Sequence, residues 1–155
     1  MDFKTKVSEL MALGYKRASA RAKIAHDVVL AAIKASGMKD SVTIKGGVVM
    51  SGITKEVRRA TMDMDADFVH YSLSNVAIAK FVAKLDKHSD CTIEIKGDIV
   101  DLRQQEYRGK RIFLQITDGS GYCERGIPRR LLPACPQCLK TRHSRGSFAT
   151  RSLPG

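Results

Sequence analysis

Between Thr61 and His70 the chain reads TMDMDADFVH, and this alternation constrains the fold more than any other stretch. Successive side chains of a strand point to opposite faces. Met62, Met64, Ala66 and Phe68 therefore share a face suited to a core, and Asp63, Asp65 and Asp67 share the other. A strand of this kind needs an apolar layer against its methionine side. Helical periodicity elsewhere supplies one. Phe3, Val7, Leu10 and Met11 fall on one face of a helix that Gly14 ends. From Ala18 to Ser36, Ala25, Val28, Val29, Ala32 and Ile33 recur at helical spacing before Gly37. A third helix, over residues 74–89, turns Ile78, Phe81, Val82 and Leu85 inward and has Ser74 at its cap.

Shorter strands surround these helices. Ser41–Lys45 is one, and Gly46–Gly47 after it suits a tight turn into a helix. CTIEIKG and Lys110–Thr117 alternate cleanly, and DIVDLRQQEYRGK between them reads as a strand followed by a turn at Arg108–Gly109. The order predicts an α+β (α/β-like) domain, a mixed β-sheet with flanking helices, and there is no internal repeat. At 155 residues, with 43% hydrophobic and 28% charged residues, the chain has the composition of one soluble domain. No apolar run approaches a membrane span, and MDFKTKVSEL lacks the pattern of a secretory signal, so a cytoplasmic protein without a membrane partner is expected.

The formal charge of +11 invites a polyanionic partner, nucleic acid or nucleotide phosphates. Much of it is local. From Tyr122 onward there are seven Lys or Arg against one Glu, together with all four prolines and three of the four cysteines. This shift places a boundary: residues 1–121 form the domain, and 122–155 are a basic, Pro- and Cys-containing tail, disordered or foreign to it. DGSG (Asp118–Gly121) is a good hairpin turn. The segment after it carries Pro128, Pro133 and Pro136, each lacking a ladder donor, so the sheet is expected to remain incomplete at its C-terminal end.

Three carboxylates on one face have two readings. One is the exposed polar side of a half-buried strand, against which stands the repulsion of like charges about 7 Å apart. The other is a site for a hard divalent cation, since Mg²⁺ takes one or two carboxylates plus substrate phosphates. Gly46 and Gly47 likewise form an ordinary strand-to-helix turn, or one whose free amides cradle a phosphate. It is not a Walker A loop, since no Gly-Lys-Ser/Thr follows. Lys45, Arg58 and Arg59 are near enough in sequence to meet phosphate charge. A phosphate cradle beside a carboxylate strand is what a nucleotide site requires.

Strand, KGG, helix, then RRATMDMDADF resembles the nucleotidyltransferase superfamily, and within it the AbiEii/AbiGii-type toxins of bacterial toxin–antitoxin and abortive-infection systems. The likeness spans roughly Lys4 to Gly121 and includes EYRGKRIFLQI. It implies a nucleotidyltransferase fold in which Lys45, Gly46 and Gly47 form the nucleotide turn. Arg59 and Thr61 lead the strand, and Asp63 and Asp65 are catalytic metal ligands. Asp67 lies one step further, and a register using Asp65 and Asp67 stays open. The implied activity is transfer of a nucleoside monophosphate from an NTP to an acceptor such as tRNA, with Mg²⁺ as cofactor and a cognate antitoxin as partner. The family's third carboxylate comes from a strand after the one matching Arg111–Thr117. Glu124 is the only acid beyond Asp118, and its surroundings do not read as a strand.

Two other readings remain. The chain keeps the fold but only binds nucleotide or RNA, having lost turnover with its third acid. Alternatively Cys123, Cys135, Cys138 and His143 form a small zinc knuckle on the basic tail, or the Cys135–Cys138 pair is redox-active. Among single residues, His26 reads as structural or surface, His70 as a turn position, and Cys91 as a small buried apolar group.

Overall fold

The computed structural model describes residues 2–54, 61–103 and 108–120, and the backbone of 123–133. Its elements in chain order are α1 (Phe3–Ala12), α2 (Arg17–Ala35), a 3₁₀ turn (Met38–Asp40), β1 (Val42–Lys45), α3 (Gly47–Thr54), β2 (Met64–Phe68), α4 (Asn75–Lys87), β3 (Thr92–Ile95), β4 (Val100–Arg103), β5 (Arg108–Thr117) and β6 (Cys123–Pro133). This is a mixed α+β arrangement. The six-stranded sheet runs β1-β2-β6-β5-β3, and β4 shares an edge of the long β5 with β3. β3 takes Leu114–Thr117 and β4 takes Arg108–Arg111. β2 and β6 are parallel, and every other pair is antiparallel.

The helices form where the apolar spacing placed them. Asp2 caps α1, accepting from the Lys4 amide at 2.9 Å, and Ser74 caps α4, accepting from Ala77 at 3.2 Å. Ala25, Val28, Val29, Ala32 and Ile33 of α2 are buried, as are Ile78, Phe81, Val82 and Leu85 of α4. Both helices lie on the sheet face that carries Val42, Met64, Ala66, Phe68, Ile112 and Leu114. Phe68 anchors this layer, its ring edge-to-face on Phe81 with centroids 4.9 Å apart. Met11, read as inward, is exposed, because α1 contributes Phe3 and Val7 to the core and little beyond.

The returning strand is the main correction. β6 forms after the Asp118 turn, and it lies centrally between β2 and β5. Proline was the reason to expect no strand here, yet the parallel ladder with β2 runs from Arg129 to Pro133. Pro133 ends that ladder, Pro128 falls just before it but inside the antiparallel ladder with β5, opposite Phe113, and four donor-bearing residues, Arg129–Leu132, lie between them. The turn itself is tied down over a long range. Asp118 is buried, accepts from the Phe3 amide at 2.8 Å, and accepts from the Ser120 amide at 3.0 Å. A strand therefore occupies part of the segment assigned to a tail, and residues 134–155 lie outside the described residues.

Candidate functional site

Helices cover one face of the sheet. The odd-numbered residues of β2 occupy the other, with Thr43 and Lys45 of β1 and Arg111, Phe113 and Gln115 of β5. Strand pairing sets a row across this face: Lys45 beside Asp65, Asp65 beside position 130, and position 130 beside Arg111. Asp65 thus shares this row with Lys45 and Arg111.

β2 is shorter than its alternation suggests, and Asp63 lies just outside the ladder. The Thr61 hydroxyl sets that conformation, accepting from the Asp63 amide at 3.3 Å and donating to the Asp63 carbonyl at 3.1 Å. β1 has already turned away at Gly46, so no neighbour on that side extends the pairing. Asp63 is half-buried, and its Oδ1 is buried without a hydrogen-bond partner. An acceptor in that condition is costly unless something else satisfies it.

The glycine turn meets these acids directly. Gly46 has φ +70°, and a Cβ there would stand 2.8 Å from Asp65 Oδ2. A Cβ on Gly47 would stand 2.8 Å from Thr61 Cβ. Neither position has room for a side chain, and Gly46 also has the left-handed backbone that glycine adopts freely. The turn therefore lies against Asp65 and Thr61, and the structure brings Lys45, Gly46, Gly47, Thr61, Asp63 and Asp65 to one place. Arg59 lies outside the described residues, as do Cys135, Cys138 and His143 of the zinc reading. Cys123 begins β6, opposite Thr117.

Asp67 is engaged differently. It is 4% exposed and ion-paired with the Lys45 ammonium, which reaches diagonally across the β1–β2 pair. A carboxylate so deep requires a counter-charge. Asp67 and Lys45 thus answer each other, which leaves Asp63 and Asp65 as the acids no described cation engages. Among the described residues, no three His, Cys, Asp or Glu side chains form a group able to hold a metal ion by themselves. Two carboxylates fit a cation that a ligand's phosphates help to coordinate, and the orphaned Asp63 oxygen is of the hard type such a cation prefers.

Sequence reasoning missed Arg111 as a member of this face. Its Nε is buried without a hydrogen-bond partner. The signal was present, since Lys110–Thr117 alternates and puts Arg111 opposite Ile112. What was missing was the central strand β6 that sets Arg111 in line with Asp65. His70, at φ 55°, is an exposed turn residue, and Cys91 is buried, which raises its thiol pKa above the ordinary range. No described helix is long and apolar enough to cross a membrane. No protein-family model matches the chain, and no curated protein or solved structure is significantly similar to it.

Proposed function

We propose that the chain is a nucleotidyltransferase of the toxin–antitoxin type, acting in the cytoplasm, held in check by a cognate antitoxin, and transferring a nucleoside monophosphate from an NTP to an acceptor such as tRNA. The observation that carries this reading is the contact of the Gly46 backbone with the Asp65 carboxylate, beside the unsatisfied Asp63 oxygen. Free amides at the start of α3 suit phosphate oxygens, and the helix dipole adds to them. Asp63 and Asp65 would hold Mg²⁺, which when bound neutralises triphosphate charge.

The chain's own residues then have distinct tasks. Gly46 and Gly47 let the triphosphate approach the backbone closely. Thr61 holds the backbone at Asp63 through its two hydrogen bonds. Lys45, neutralised by Asp67, keeps the turn anchored to β2. In the transfer, the acceptor oxygen forms a bond to the α-phosphorus, and the bond from that phosphorus to the bridging oxygen breaks. Pyrophosphate leaves with the electron pair, and the hydroxyl proton passes to solvent or to a carboxylate. Holding these groups in line is the main contribution a site of this kind makes.

A second reading, nucleotide or RNA binding without turnover, is favoured by one observation. The residue in register with Asp65 on β6 is Arg130, and Glu124, the acid of that strand, pairs instead with Ile116 on the far side of β6. A single experiment separates the two. The protein is incubated with each α-labelled NTP, Mg²⁺ and total tRNA, beside an Asp63→Ala/Asp65→Ala variant. Label on tRNA that requires both aspartates establishes the transferase. Mg²⁺-dependent NTP binding without label establishes the binding protein, and neither result leaves the site without a nucleotide role.

A further inference from the structure

Eight large hydrophobic side chains lie exposed among the described residues, and six of them gather around one point of the surface. Tyr15, Gly52 and Thr61 line the same small cavity beside α2, so three stretches of chain meet there. Met11 and Leu13 shortly precede Tyr15, Val49, Met50 and Ile53 flank Gly52, and Met62 follows Thr61. Consecutive Cα atoms are about 3.8 Å apart, so each of these side chains starts within a few residues of the meeting point. Leu13 is 69% exposed and Ile53 72%, so the chain itself covers neither.

α3 is unusual in the same sense. Its sequence, GVVMSGIT, has no charged residue, and a helix without a charged face is normally buried. Here it buries only Val48 and leaves Val49, Met50 and Ile53 in water. Single exposed hydrophobics need no explanation, whereas a gathered set marks a surface that something else covers.

Charge selects the occupant. Residues 1–54, which supply α1, α2 and α3, carry nine Lys or Arg against four acids, whereas residues 61–121 carry eight against ten. The basic excess before the final segment thus belongs to the part of the chain that bears most of this surface. Two exposed basic residues, Lys16 and Arg17, follow Tyr15 directly and begin α2. That helix has no acid in its first turn and no side-chain cap at Lys16, so the positive end of its dipole adds to the two cations. A carboxylate arriving here meets favourable charge, while a second copy would set the same positive charge against itself. A membrane-surface site presents one continuous amphipathic helix, whereas these apolar side chains come from three stretches and none is aromatic.

We infer that this surface docks an acidic amphipathic segment of a partner protein. Its apolar side chains pack on Leu13 and the exposed side of α3, and its carboxylates meet Lys16 and Arg17. The inference uses none of Gly46, Gly47, Asp63 or Asp65, and it stands independently of the nucleotide reading above.

The probe is a synthetic peptide of about 16 residues, long enough to form a helix, with Leu along one face and Glu on the other. A second peptide has Lys in place of each Glu. Binding to the full chain is measured by fluorescence anisotropy, with thermal melts to confirm folding. Glu at the start of α2 suits the helix dipole, so Lys16→Glu/Arg17→Glu keeps the fold. Leu13→Gln/Ile53→Gln changes only side chains that lie in water. The Glu peptide should bind the wild type at least about tenfold more tightly than the Lys peptide, and about tenfold or more weakly in either double variant. Val76→Gln, at an exposed apolar position at the start of α4, should stay within about twofold of wild type.

Glu-peptide binding that is absent, that equals binding of the Lys peptide, or that is unchanged in both double variants overturns the inference. Sedimentation and phosphatidylserine vesicles test the other occupants. Self-association or vesicle binding that is lost in Leu13→Gln/Ile53→Gln, and with which the Glu peptide does not compete, overturns it as well.

Discussion

The two faces of β2 obey different rules. On one, Met64, Ala66 and Phe68 are each at most 5% exposed and need only be filled around, by α2, α4 and their neighbours on β1 and β5. On the other, every charge requires a partner of its own. Asp67 has Lys45, whereas Asp63 keeps a buried oxygen unsatisfied and Asp65 faces a glycine backbone. The apolar face therefore stabilises the fold. The acidic face costs stability at two residues, and such a cost is characteristic of a site reserved for a ligand.

That contrast can be broken first on the apolar side. Phe68→Ala removes a buried ring packed edge-to-face on Phe81 and tilted against Tyr71, and should destabilise by about 3–5 kcal/mol in denaturant unfolding. A loss under about 1 kcal/mol would mean the helix layer does not pack on β2 as described. Next is Lys45→Met, which strands Asp67. Lys45 is itself 47% exposed, so the loss, discounted for solvent, should be roughly 1–2 kcal/mol. Adding Asp67→Asn should recover part of it, and simple additivity of the two changes would show that they do not interact.

Gly46→Ala should cost about 1–2 kcal/mol for its left-handed backbone and should displace Asp65, abolishing Mg²⁺–NTP binding. Retained binding in a folded Gly46→Ala protein would remove the turn from the site. Smallest is Asp63→Asn, which keeps the shape and removes one of three like charges. Stability should stay within about 0.5 kcal/mol of wild type or rise slightly, while nucleotide binding is lost. A large loss of stability would make Asp63 a structural residue.

Much of this was legible in the chain. The helices followed from spacing, since burial of Ala25, Val29 and Ile33, or of Ile78, Phe81 and Leu85, is a local consequence of amphipathic periodicity. The meeting of Gly46 with Asp65 was implied by a strand, a glycine turn and a second strand in close succession. Two things were not legible. The role of Asp67 depends on the diagonal reach of Lys45, which alternation alone does not specify. β6 was missed because its evidence is non-local: a segment with two prolines becomes a central strand only when β2 and β5 both offer ladders, with Pro133 at the end of the parallel pairing and Pro128 outside it, within the pairing to β5.

The most direct test of the central claim is Mn²⁺ binding, followed by electron paramagnetic resonance with and without NTP. If Asp63, Asp65 and the glycine turn form one site, Mn²⁺ should bind weakly alone and more tightly with NTP. Both signals should be lost in Asp63→Asn/Asp65→Asn and retained in Asp67→Asn. Mn²⁺ binding that ignores NTP, or that survives loss of both aspartates, would contradict the account.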